Sequence, residues 1–112
     1  MRTLLRATLD VEASNKAVID GSLAKVLNST MERIQPEASY FLATDGCRSC
    51  FMVFDLKYPS EIPSIAEPFF LNMNAKVDFT PVMNAEDLKK GLEKFQESSE
   101  YIPEKFQKSQ TN

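Results

Sequence analysis

The feature that most constrains this chain is the pair Asp45-Gly46, set between two β-rich runs, "EASYFLAT" and "CRSCFMVFDL". Asp-Gly is a strong hairpin signal because a tight two-residue turn needs positive φ at both positions, which glycine takes freely and aspartate tolerates. Such a turn pairs Thr44 with Cys47 and sets Tyr40 opposite Phe51. Side chains alternate along a strand, so Tyr40, Leu42, Phe51, Val53 and Asp55 then share one face.

The flanking segments read by their periodicity. "RTLLRATL", residues 2 to 9, alternates Leu5, Ala7 and Leu9 against Leu4, Arg6 and Thr8, a strand with one clearly apolar face. From Ala13 to Ile34 the apolar positions recur at three and four, which predicts an amphipathic helix, broken or kinked at Asp20-Gly21-Ser22 with Ser22 available as a cap for its second part. Pro36 ends it. "YPSEIPSIAEPFFLN" carries Ile62, Ile65, Ala66 and Phe69 on one side and Ser64 and Glu67 at capping-box spacing, which predicts a short helix disturbed by Pro68. "AKVDFTPV", residues 75 to 82, alternates Val77 and Phe79 against Lys76, Asp78 and Thr80, a fourth strand. Asn84 then caps a last helix with Leu88, Leu92 and Phe95 on one stripe.

The fold class is therefore α+β, in the ferredoxin-like β-α-β-β-α-β order with an antiparallel sheet and an added C-terminal helix. Residues 1–98 are expected to form this domain, and residues 99–112 a polar tail or docking arm. A chain of 112 residues buries enough surface to fold without a disulfide or metal. A net charge of -3 gives no basic face for nucleic acid. No apolar run approaches the ~20 residues that span a bilayer, and the N-terminal run is too short for a signal peptide, so a cytoplasmic location is expected.

In this topology both crossover helices cover the same sheet face, over Leu5, Ala7, Leu9, Val77 and Phe79. The opposite face collects Leu4, Arg6 and Thr8 from strand one, Tyr40, Leu42, Phe51, Val53 and Asp55 from the hairpin, and Asp78 and Thr80 from strand four. That is too much apolar surface to leave in water, and a second copy of the chain is the expected cover, two sheets closing face to face into a dimeric α/β barrel. Any cavity between sheet and helices, or at the barrel mouth, is the default ligand site.

The organisation, and above all "VFDLKYPSEIPSIAEPFF" leading into "VDFTPV", resembles the dimeric α/β-barrel superfamily of small bacterial proteins. Over residues 53–82 the Phe54-Asp55 strand end, the helix begun at Ser60-Glu61, the Pro68-Phe69 break and the Val77 to Pro81 strand resemble the second half of the muconolactone isomerase family. The resemblance implies the dimeric barrel and, as a reaction type, a cofactor-free proton shift beside a lactone carbonyl. It does not carry that family's catalytic groups onto positions of this chain.

Arg6, Asp55 and Asp78 form the most suggestive polar set. Functionally, Arg6 can hold a carboxylate ligand while Asp55 or Asp78, the two catalytic candidates, takes a proton in a dry pocket. Structurally, the same residues form a self-satisfied ion pair inside an interface, which is the weightier reading. Tyr40, Thr8 and Thr80 can line that pocket, or serve only as strand residues. Phe69 and Phe70 can cap a hydrophobic ligand, or fill the gap beneath a broken helix.

Cys47 and Cys50 have redox spacing but open a strand rather than a helix, and residues three apart on a strand point to opposite faces. With no histidine and no further cysteine there is no zinc set, no Ser-His or Cys-His nucleophile and no histidine haem ligand. The cysteines read as ordinary thiols. Three isolated glycines form no phosphate loop. No cofactor or metal is expected. Three functions stay open: a homodimeric protein that binds a small organic acid or carbonyl ligand, or an accessory protein, without catalysis; a cofactor-free isomerase on a small lactone or carbonyl acid; and a structural or regulatory oligomer.

Overall fold

The computed structural model describes residues 1–98 and 102–107. The chain divides into two compact units, Met1–Val82 and Met83–Asn112. The first is α+β: β1 (Arg2–Thr8), α1 (Val11–Asp20), α2 (Ser22–Ile34), β2 (Ala38–Thr44), β3 (Cys47–Asp55), a 3-10 turn (Pro59–Glu61), α3 (Ile62–Met73) and β4 (Lys76–Pro81). The second holds α4 (Ala85–Glu97) and the single turn α5 (Glu104–Gln107). The expected boundary at residue 98 falls inside this second unit, and the expected tail lies outside the described residues except for 102–107.

The four strands pair antiparallel in the order β2-β3-β1-β4. The hairpin register follows from the turn: Asp45 has φ 53° and Gly46 φ 74°, both central residues left-handed, and Thr44 pairs with Cys47 and Tyr40 with Phe51. Leu5, Ala7, Met52 and Phe54 face the helices and are buried with Ile65, Phe69 and Met73 from α3. Val77 and Phe79 pack half-buried against them, and the rings of Phe54 and Phe79 meet edge to face at 6.4 Å.

Local chemistry explains the helix ends. The Asp10 side chain accepts from the Ala13 N–H at 2.9 Å and starts α1. Gly21, at φ 82°, separates α1 from α2, so the interruption expected at Asp20-Gly21-Ser22 is a full break. Ser22 is not the cap: its hydroxyl and its N–H, the latter at 2.8 Å, both donate to the Asp20 carboxylate and hold that acid below the usual carboxylate range.

Two expectations for α3 need correction. The helix starts at Ile62, after the 3-10 turn, and the Ser64 hydroxyl donates back to the Glu61 carbonyl instead of capping a later start. Nor does Pro68 end it, for α3 runs on to Met73. An interior proline lacks the N–H that would reach the carbonyl four residues back, here Ser64. That carbonyl accepts from Arg33 Nη1 on α2 at 3.2 Å, so a side chain from another helix occupies the acceptor that the proline leaves vacant.

In the second unit α4 begins with a full capping box. The Asn84 side chain accepts from the Asp87 N–H at 2.8 Å, and the Asp87 carboxylate from the Asn84 N–H at 3.1 Å. Its apolar stripe, Leu88, Leu92 and Phe95, is exposed. No helix among the described residues is long and apolar enough to cross a membrane.

Candidate functional site

The sheet face away from the helices is organised by the pairing of β1. Arg6 lies opposite Phe51 on one side and Asp78 on the other, and Phe51 lies opposite Tyr40. Tyr40, Phe51, Arg6 and Asp78 therefore form one row across all four strands. The next row runs Ala38, Val53, Leu4 and Thr80. Four of the five candidate residues, Arg6, Tyr40, Asp78 and Thr80, are thus brought onto two adjacent rows, and all four are exposed.

Within that patch the Arg6 guanidinium sits over the Phe51 ring, 5.3 Å from its centroid. Among the described residues it makes no ion pair with either aspartate. An exposed cation over a ring is worth about 0.5–1 kcal/mol, enough to bias the side chain across the face and not enough to hold it against a carboxylate ligand. The face therefore offers a guanidinium, a phenol and a threonine hydroxyl around an apolar centre of Leu4, Phe51 and Val53.

Asp55 stands apart. It pairs with Arg2, four residues of strand from Arg6, which is about 13 Å. Its carboxylate lies 2.6 Å from the Met1 ammonium. That hydrogen bond and charge, with smaller help from Lys57 and Arg2, hold the carboxyl below the ordinary aspartate range. Arg2 also pairs with Glu37 at 2.6 Å. The expected approach of Asp55 to Arg6 does not occur, because the register of β1 on β3 puts Arg2 where Arg6 would have to be.

Asp55 borders a different feature, a cleft of about 560 Å³ where the end of β3 meets the last turn of α2 and the start of α3. Its wall includes Arg33 and Lys57, neither of which stood out in the sequence. The available signal was slight: a basic residue in the last turn of a helix, and a lysine two positions beyond a strand-ending aspartate.

The cysteines lie on opposite sides of the sheet. Cys50 is in the core opposite Ala7, where burial raises its thiol to about 11, and Cys47 is half-buried beside the turn. Phe69 belongs to the core, whereas Phe70 on the outer side of α3 is partly exposed. No protein family and no curated protein sequence matches this chain.

Proposed function

We propose that this chain is a homodimeric small-molecule-binding or accessory protein, in which two ferredoxin-like sheets pack face to face as a dimeric α/β barrel. The observation that carries the reading is the asymmetry of the sheet. One face is covered over β1 and β3 by α1, α2 and α3, while the other presents Tyr40, 66% exposed, with Leu42, Phe51, Val53 and Leu4 around Arg6. The strand order β2-β3-β1-β4, with β1 antiparallel to both its neighbours, supports the ferredoxin-like assignment and with it the distant kinship to dimeric α/β-barrel proteins.

Binding is preferred to an isomerase reaction because that chemistry needs a base in a dry pocket beside the group that holds the substrate, and Asp78, although it lies opposite Arg6, is exposed. Asp55 is tied to the Met1 ammonium about 13 Å along the strand from Arg6. The ligand class suited to the Arg6 guanidinium is a small organic acid or carbonyl compound.

Light scattering after size exclusion tests the assembly. The wild type should elute at twice the chain mass, and Phe51→Glu should elute at the chain mass with unchanged far-UV circular dichroism, since Phe51 points away from the core. A wild type that stays at the mass of one chain up to about 100 μM, a concentration that populates even modest dimers, would overturn the dimer.

A further inference from the structure

The cleft at the end of β3 combines three properties that rarely coincide on a structural surface. Its volume, about 560 Å³, falls within the roughly 300–1,000 Å³ of small-ligand sites. Its floor is apolar, formed by half-buried Ile34 beside Phe54 and Ile65 of the core. Two cations stand on its wall, Arg33 and Lys57, and neither has a carboxylate in ion-pair contact among the described residues.

Arg33 is held in place by a bond that leaves its recognition chemistry intact. One Nη1–H is directed to the Ser64 carbonyl that Pro68 leaves without its helical donor. A guanidinium has five N–H donors, so an edge stays available for a carboxylate. Lys57 follows Leu56, which is buried and donates its N–H to the Met1 carbonyl at 2.9 Å, so the backbone beneath the lysine is anchored. The two acids on the rim are Asp55, already within 2.6 Å of the Met1 ammonium, and Glu61. Arg33 and Lys57 against the one remaining rim carboxylate leave a single net positive charge, which a singly charged ligand matches.

We propose that this cleft binds a small monocarboxylic acid with an apolar body, its carboxylate between Arg33 and Lys57 and its body against Ile34 and the floor at Phe54 and Ile65. The inference rests on the binding reading above but not on the dimer, because the cleft is complete within one chain.

The test is an amide NMR titration of the full chain with benzoate and hexanoate, against the neutral benzamide and hexanamide and against inorganic phosphate. The acids should shift the amides of Phe54, Lys57 and Ile65, and bind about tenfold more tightly than the amides. Phosphate should bind more weakly than either acid. Lys57→Gln and Arg33→Gln should each weaken the acids about tenfold. Should Arg33→Gln fail to fold through loss of its Ser64 contact, Lys57→Glu replaces it as the decisive variant, since Lys57 is exposed and makes no hydrogen bond or close ion pair among the described residues. Equal affinity for acid and amide, or unchanged affinity in the lysine variants, overturns the proposal. Shifts centred on Arg6, Phe51 and Tyr40 overturn the cleft but leave the binding reading standing. No shift with either acid at about 20 mM, where even weak sites are occupied, removes both.

Discussion

Phe69 and Phe70 are neighbours in one helix, and replacing each with alanine should have opposite consequences. Phe69 is 0% exposed and packs in the core with Leu5, Met52 and Phe54, whereas Phe70 is 42% exposed on the outer side of α3. Removing the Phe69 ring loses a transfer contribution of about 1.5–3 kcal/mol and adds a cavity term, because close-packed neighbours relax only in part. The expected total is about 3–5 kcal/mol. Phe70 has part of its ring in water already and leaves no enclosed void, so its replacement should cost about 1 kcal/mol. A domain of this size is stable by roughly 5–15 kcal/mol, so Phe69→Ala removes about a fifth or more of the total. Urea unfolding followed by far-UV circular dichroism reads both values, with equal m-values confirming that midpoints report stability. If Phe69→Ala populates no folded state, Phe69→Leu should still fold with a loss of about 1–2 kcal/mol. A cost for Phe70→Ala equal to that of Phe69→Ala, or below about 1.5 kcal/mol for Phe69→Ala, would refute the assignment of Phe69 to the core and revive its role as a ligand cap.

The turn and the buried thiol make two more tests. Gly46→Ala should cost about 1–2 kcal/mol, because φ is 74° there while no atom lies within 4 Å of an added Cβ, so the penalty is backbone conformation alone; a loss under about 0.3 kcal/mol in thermal or urea unfolding would contradict the left-handed turn. Cys50, raised to about 11 by burial, favours its neutral thiol in the folded state, so its contribution is fully present below the unfolded thiol range and is lost as pH rises toward 11. Native protein at pH 8 should therefore be alkylated by iodoacetamide at Cys47 well before Cys50, and both should react at similar rates in urea, as peptide mass spectrometry can follow; faster native labelling of Cys50 would refute its burial.

Much of the sheet was legible in the sequence because strand alternation is strict. Once Asp45-Gly46 set the turn, the pairing of Tyr40 with Phe51 and the shared face of Leu42, Val53 and Asp55 followed without any long-range information. The Asn84 cap of α4 and the burial of Leu5 and Ala7 were readable for the same reason, since each depends on neighbours a few residues away. The candidate site was legible only in part: Arg6, Tyr40, Asp78 and Thr80 gather as expected, and Asp55 does not join them.

What the sequence by itself determined is thus which side chains share a face, a property of strand period and turn length. What only the tertiary structure decided is which of them meet. The offset of β1 along β3 is set by packing of the whole core, and a shift of four residues is the difference between Arg6 and Arg2 beside Asp55. Likewise, Pro68 reads as a helix breaker until Arg33, thirty-one residues before Ser64, supplies the missing donor. Because that partner comes from another helix, no local pattern could announce either the continuous α3 or the cationic cleft it helps to build.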